Sequence, residues 1–158
     1  LAYVIGQQNL DNALRRYYND WKFKHPEPRD FLLEAEITSG LELNWYNEYY
    51  VYTTRNVDYS IQGIYGKTDE TLVVLNRKGD AILPVDLYVR LKDGREIIYS
   101  IPLEIMFGHK PPFKKIETRF AKHWRWINRE YELNLPFDVA DIDLLMIDPW
   151  VYTLDDDR

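Results

Sequence analysis

The chain contains no cysteine. That excludes a disulfide framework, a thiol nucleophile and a thiolate-bound metal, and it assigns no compartment. Histidine is scarce: only His25, His109 and His123 occur, and no two stand four residues apart. The paired histidines of a helical zinc-hydrolase motif are therefore missing, and a structural role is expected for each. The few serines, Ser39, Ser60 and Ser100, lie in no G-x-S-x-G turn, so serine catalysis lacks its nucleophile elbow. No Walker loop and no G-x-G-x-x-G occurs; Gly63-x-x-Gly66 reads as a strand bend. No apolar run reaches the ~20 residues of a membrane-spanning helix. Positive charge is also short. Twenty Lys and Arg against 26 Asp and Glu leave a net charge of −6, which argues against general nucleic-acid binding.

What is present is a chain of 158 residues, 46% hydrophobic, with 13 Tyr and 5 Trp. Its pattern changes period. Leu10, Ala13, Leu14, Tyr17, Tyr18 and Trp21 recur at helical spacing and predict a helix from about Gln8 to Phe23. His25-Pro26-Glu27-Pro28 stops it, since proline removes a donor and restricts its predecessor. A second helix begins near Pro28, with Asp30 in its first turn and Ser39-Gly40 at its end. A third is expected from about Glu42 to Tyr52. After Thr53-Thr54-Arg55-Asn56 the period becomes two: Val57-Tyr59-Ile61, Val85-Leu87-Val89-Leu91, Ile97-Tyr99-Ile101 and Tyr131-Leu133-Leu135 alternate with mostly polar neighbours, so each strand is expected to have one buried and one wet face, with Asp86, Tyr88 and Ser100 outward. Asp93-Gly94 is a hairpin signal. The expected fold is α+β: a helical segment over residues 1–55, then an immunoglobulin-like antiparallel β-sandwich over residues 56–158. The chain opens on Leu1 rather than methionine, so it is expected to be a piece of a longer protein.

Three features invite a functional reading. From His109 to Arg129, seven basic residues stand against Glu117 alone, interleaved with Phe113, Phe120, Trp124 and Trp126. Lys114, Lys115, Arg119, Trp124 and Trp126 form a candidate ligand surface for a glycan, peptide or nucleic acid, because cations grip phosphates and aromatic faces stack on bases or sugars. The ordinary alternative is a crossover whose aromatics cap the core. The helices carry more aromatic surface than they can cover by themselves, so Tyr17, Trp21, Trp45 and Tyr49 form a candidate interdomain or partner surface. Asp138, Asp141, Asp143 and Asp148, with Asp155-Asp156-Asp157, have neither calcium-loop nor paired-acid spacing and read as solvated loop ends.

The run Tyr17-Tyr18-Asn19-Asp20-Trp21-Lys22-Phe23-Lys24-His25-Pro26-Glu27-Pro28-Arg29-Asp30-Phe31, followed by Ser39-Gly40-Leu41-Glu42-Leu43-Asn44-Trp45, resembles the region after the catalytic site in aminopeptidase-N-like zinc metallopeptidases of the gluzincin clan. Leu1-x-Tyr3-x-x-Gly6 resembles the end of the preceding helix. Pro84-Val85-Asp86-Leu87, Trp124-x-Trp126, Tyr131 and Ile147-Asp148-Pro149 are similar to the C-terminal β-sandwich of bacterial members. The resemblance implies a parent that hydrolyses peptide bonds at the N-terminus of peptides, using zinc held by an H-E-x-x-H helix and a downstream glutamate. In it the metal polarises the carbonyl and activates water. None of those motifs occurs here, so no catalytic and no metal-ligating residue maps onto this chain. It implies a non-catalytic C-terminal fragment that supports the catalytic domain and its cleft. Its partner is the missing N-terminal catalytic portion of the same polypeptide, with zinc expected in the parent only. An exported or periplasmic address is compatible with the bacterial type and is not assigned.

Overall fold

The structure, a computed structural model, describes residues 1–112 and 115–149. The chain forms two compact units: Leu1–Thr54 with Ile105–Pro111, and Arg55–Glu104 with Pro112–Arg158. Four α-helices fall in the first and seven β-strands in the second, an α+β fold among the described residues. The first crossing between the units lies between Thr54 and Arg55. Periodicity did not reveal that Ile105–Pro111 returns to the helical unit.

In the helical unit, α1 (Ala2–Ile5) and α2 (Gln7–Trp21) are separated by Gly6 at φ 81. A side chain there would meet the Pro111 ring at 2.9 Å, so glycine permits both the bend and the close approach. The buried stripe of α2 is narrower than the periodicity predicts. Ala13 is fully buried and Leu10, Tyr17 and Trp21 partly so, while Leu14 and Tyr18 are exposed. Helix α3 (Pro28–Ser39) starts with a capping box: the Glu27 amide donates to the Asp30 carboxylate at 2.7 Å and the Glu27 side chain accepts in return. Gly40 closes it at φ 71. The α2–α3 hairpin is tied by Arg16 to Glu34 at 2.8 Å, by Tyr17 edge-on to Phe31 at 5.4 Å, and by Thr38 Oγ1 donating to the Asn9 carbonyl at 3.1 Å. Ala13 and Ala35, both fully buried, lie between these ties.

Helix α4 (Asn44–Tyr50) is shorter than the expected third helix. Trp45 is buried, with its indole N–H on the Glu42 carbonyl at 2.9 Å, and Tyr46 stacks on Tyr50 with centroids 4.7 Å apart. The returning segment is fixed by the Glu42 amide on the Met106 carbonyl at 3.2 Å. The Lys110 ammonium lies 3.6 Å from the Tyr3 ring centroid. Met106 and Lys110 are both buried.

The β unit holds β1 (Tyr59–Lys67), β2 (Glu70–Arg77), β3 (Val85–Leu91), β4 (Glu96–Ile101), β5 (Glu117–Phe120), β6 (Glu130–Leu135) and β7 (Ile142–Ile147). They form a three-stranded sheet in the order β1-β2-β6 and a four-stranded sheet in the order β5-β4-β3-β7. The Asp93-Gly94 turn joins β3 to β4 as the sequence predicts, with Gly94 at φ 88 and its amide on the Leu91 carbonyl at 3.0 Å. Two expectations need correction. The sheets are not wholly antiparallel, because β5 pairs parallel to β4, in register Ile97 to Glu117 through Ser100 to Phe120. Nor do β3 and β4 keep one wet face. Asp86 and Tyr88, read as outward positions, are only 1% and 8% exposed, and Ser100 is buried too. These are the central strands of the sheet, covered on both faces, where alternation no longer reports water. The core of this unit comprises Val73, Leu75, Leu87, Val89, Ile97, Ile101, Leu133 and Leu135.

Candidate functional site

The loop from Ala121 to Arg129 connects β5 to β6 and borders an open groove of about 770 Å³, walled by residues 122–125 and 127–132. Trp124 is one of its lining residues and is only 3% exposed. Its ring stacks on Tyr131 at 5.2 Å and meets Tyr59 edge-on at 5.4 Å. Its indole N–H donates to the Asn128 carbonyl at 3.0 Å, and its backbone N–H donates to the Pro102 carbonyl at 2.8 Å. The Tyr131 hydroxyl donates to the Lys122 carbonyl at 2.7 Å, and burial pushes this phenol up to about 12.

The loop is stapled to β2 through main-chain oxygens. Arg77 Nη2 donates to the Trp126 carbonyl at 2.7 Å. Arg129 Nη1 donates to the Lys78 and Gly79 carbonyls at 3.1 and 2.8 Å, and its Nη2 pairs with Asp80 at 2.9 Å. Five N–H donors in a rigid fork make arginine suited to this clip. Arg119 pairs with Glu117 at 2.7 Å and donates to the Tyr99 hydroxyl at 3.1 Å. Burial pushes Tyr99 up, and the Arg119 hydrogen bond opposes that rise.

The residues of the candidate ligand surface meet different surroundings where they are described. Trp124 is core, Arg119 is engaged by its neighbours, Trp126 is 46% exposed, Lys115 is exposed, and Lys114 lies outside the described residues. His109 and Lys110, which open the run, belong to the helical unit. Asp155-Asp156-Asp157 also lies outside the described residues. His25, His109 and His123 are all exposed, and among the described residues no group of three or more His, Asp or Glu could hold a metal ion.

The candidate partner residues differ in burial. Trp45 is core, with its edge toward Tyr50 at 6.4 Å; Tyr17 belongs to the α2–α3 seam; Tyr49 is half-buried. Trp21 is half-buried, with the Lys24 ammonium 5.5 Å from its ring centroid. Burial pushes the Tyr46 phenol up. The largest exposed apolar groups of this unit are different residues: Phe23 is 100% exposed and Phe107 81%, both at positive φ, 66° and 49°. Lys22 has φ −54 and ψ 134, and the Lys24 amide donates to the Trp21 carbonyl at 2.9 Å. Together with Phe23 these values describe a type II turn, whose third residue is ordinarily glycine. Periodicity missed the exposure of Phe23 because the expected helix runs on to it, whereas α2 ends at Trp21 and a turn that residue spacing does not report sets its backbone. No family model matches the chain, and no curated protein matches it.

Proposed function

We propose that this chain is a non-catalytic C-terminal portion of an aminopeptidase-N-like zinc metallopeptidase. The helical unit would form the wall behind the catalytic site, and the β unit would be the appended immunoglobulin-like sandwich. The observation that carries the reading is where the motif runs fall. Tyr17 to Phe31 spans the end of α2, a tight turn, the Glu27–Asp30 capping box and the first turn of α3, and Ser39-Gly40 to Trp45 spans the end of α3 and the start of α4. The residues that carry the resemblance are thus those that set the helix ends. Two mostly antiparallel sheets after the helices support the sandwich assignment. The chain holds no H-E-x-x-H, so its own contribution is support of a site built elsewhere.

The deciding experiment is to read the gene upstream of Leu1. An H-E-x-x-H followed by a further glutamate is the expected finding. An upstream region lacking both, in a protein without peptidase activity, overturns the proposal.

A further inference from the structure

Strand β6 is the last strand of its sheet, and its outer edge is open. It pairs with β2 in unbroken register from Leu135 opposite Thr71 to Glu130 opposite Asn76, and the Arg77 amide donates to the Arg129 carbonyl at 2.8 Å. Hydrogen-bonded pairs alternate along an antiparallel ladder, so Tyr131, Leu133 and Leu135 turn their main-chain groups to β2. Glu130, Glu132 and Asn134 turn theirs outward, where nothing among the described residues bonds them. The other three edges are poorer templates for a further strand: β1 and β7 carry register shifts, and β5 is four residues long. The open groove has Glu130, Tyr131 and Glu132 in its wall, so it borders the start of this edge. Glu130 and Glu132 are exposed, share one face of the strand, and pair with no cation among the described residues. The arginines of the groove are already matched, Arg125 by Glu104 at 3.7 Å and Arg129 by Asp80 at 2.9 Å.

We propose that the free edge of β6 receives an extended peptide with basic residues at alternate positions, added antiparallel as one more strand of the sheet β1-β2-β6. This does not depend on the function proposed above. The outward N–H and C=O groups of Glu130, Glu132 and Asn134 supply the main-chain bonds that hold an added strand. Peptide residues opposite Glu130 and Glu132 stand two apart and share their face, so Lys or Arg at both positions makes cross-strand ion pairs. The residue between them falls on the face of Tyr131 and Leu133, where an apolar side chain fits. Three other occupants fit less well. A second copy pairing through all three outward residues sets Glu132 opposite its own counterpart, and like charges directly opposed destabilise a sheet. A nucleic acid brings phosphates against Glu130 and Glu132. A glycan lacks a stacking platform in the groove, because Trp124 is only 3% exposed and its ring is stacked on Tyr131.

The probe is a short fluorescein-labelled peptide alternating lysine and valine, titrated against the whole chain by fluorescence anisotropy. The double change Glu130→Lys and Glu132→Lys is expected to weaken binding about tenfold, and the same variant is expected to gain affinity for a peptide alternating glutamate and valine. N-methylated peptides test the main-chain bonds on the unaltered protein. In antiparallel addition the lysines opposite Glu130 and Glu132 turn their N–H groups to β6, and the valines turn theirs away. Methylating the lysine amides is therefore expected to abolish binding, and methylating the valine amides to leave it within about threefold. No binding of the lysine–valine peptide, or equal affinity of wild type and charge-reversed variant, overturns the proposal. Equal binding of the two methylated peptides reduces the contact to charge attraction and overturns strand addition. Tighter binding of the wild type to the glutamate–valine peptide, or to a single-stranded oligonucleotide, than to the lysine–valine peptide assigns the groove to its cations and also overturns it.

Discussion

Trp124 and Trp126 stand two positions apart in one basic, aromatic run and meet opposite surroundings. Trp124 is enclosed by Tyr59 and Tyr131 and donates its indole hydrogen inward, while Trp126 leaves nearly half its surface in water. Trp124→Ala should destabilise the β unit by about 3–5 kcal/mol, the range for removing a buried large aromatic. Trp126→Ala should change stability by no more than about 0.5 kcal/mol. Urea unfolding of the two variants checks both values; equal effects would contradict the buried and exposed assignments. Tyr131 gives a second prediction. Its phenol is raised from 10.0 to about 12 by burial, so the neutral form is favoured in the fold. That contribution is complete below pH 10 and is lost as pH rises from 10 to about 12. Ultraviolet titration of phenolate should show a late-titrating tyrosine, and Tyr131→Phe should remove that late step. The sequence makes both tryptophans aromatic members of a cationic run. Which of them is core depends on β2, β6 and the bridge from Leu103 to Trp124, partners that local spacing does not specify.

At the scale of elements, the helices were largely legible because their ends carry their own chemistry. Pro28, Asp30 and Gly40 mark α3 by sequence alone, and the structure adds the reciprocal Glu27 contact. The hairpin also depends on a pair that spacing does not reveal. Arg16 and Glu34 are 2.8 Å apart, the Glu34 side chain almost enclosed and that of Arg16 half exposed. Arg16→Ala leaves a buried carboxylate without its cation and should destabilise the helical unit by about 1–2 kcal/mol, less than for a fully buried pair because Arg16 is partly solvated. Arg16→Lys should recover part of this, and thermal unfolding followed by helical circular dichroism measures the difference. The strand β5 was not legible. Glu117-Thr118-Arg119-Phe120 is short and mostly polar, and its strand character comes from the β4 backbone beside it. Its parallel direction follows from the connection: residues 102–116 provide the long crossover that parallel neighbours require, and part of that crossover is the excursion Ile105–Pro111.

For the whole molecule, the functional expectation is structural support. The isolated chain, incubated with zinc and aminopeptidase substrates, should show no turnover, and zinc-dependent hydrolysis would contradict the proposed role. The absence of cysteine and of paired histidines, the acidic balance and the two periods are properties of the sequence as written. They determined by themselves a helical part followed by a strand-rich part, and the helix ends that proline, glycine and the capping residues enforce locally. Only the tertiary structure decided which aromatics are enclosed, that Asp86 and Tyr88 lie inside a doubly covered sheet, that Ile105–Pro111 rejoins the helices, and that Phe23 stands free at a strained turn. The division has one physical origin. Local dihedral preferences and capping act over a few residues and can be read along the chain. Burial depends on which distant segments meet, and no local pattern encodes that.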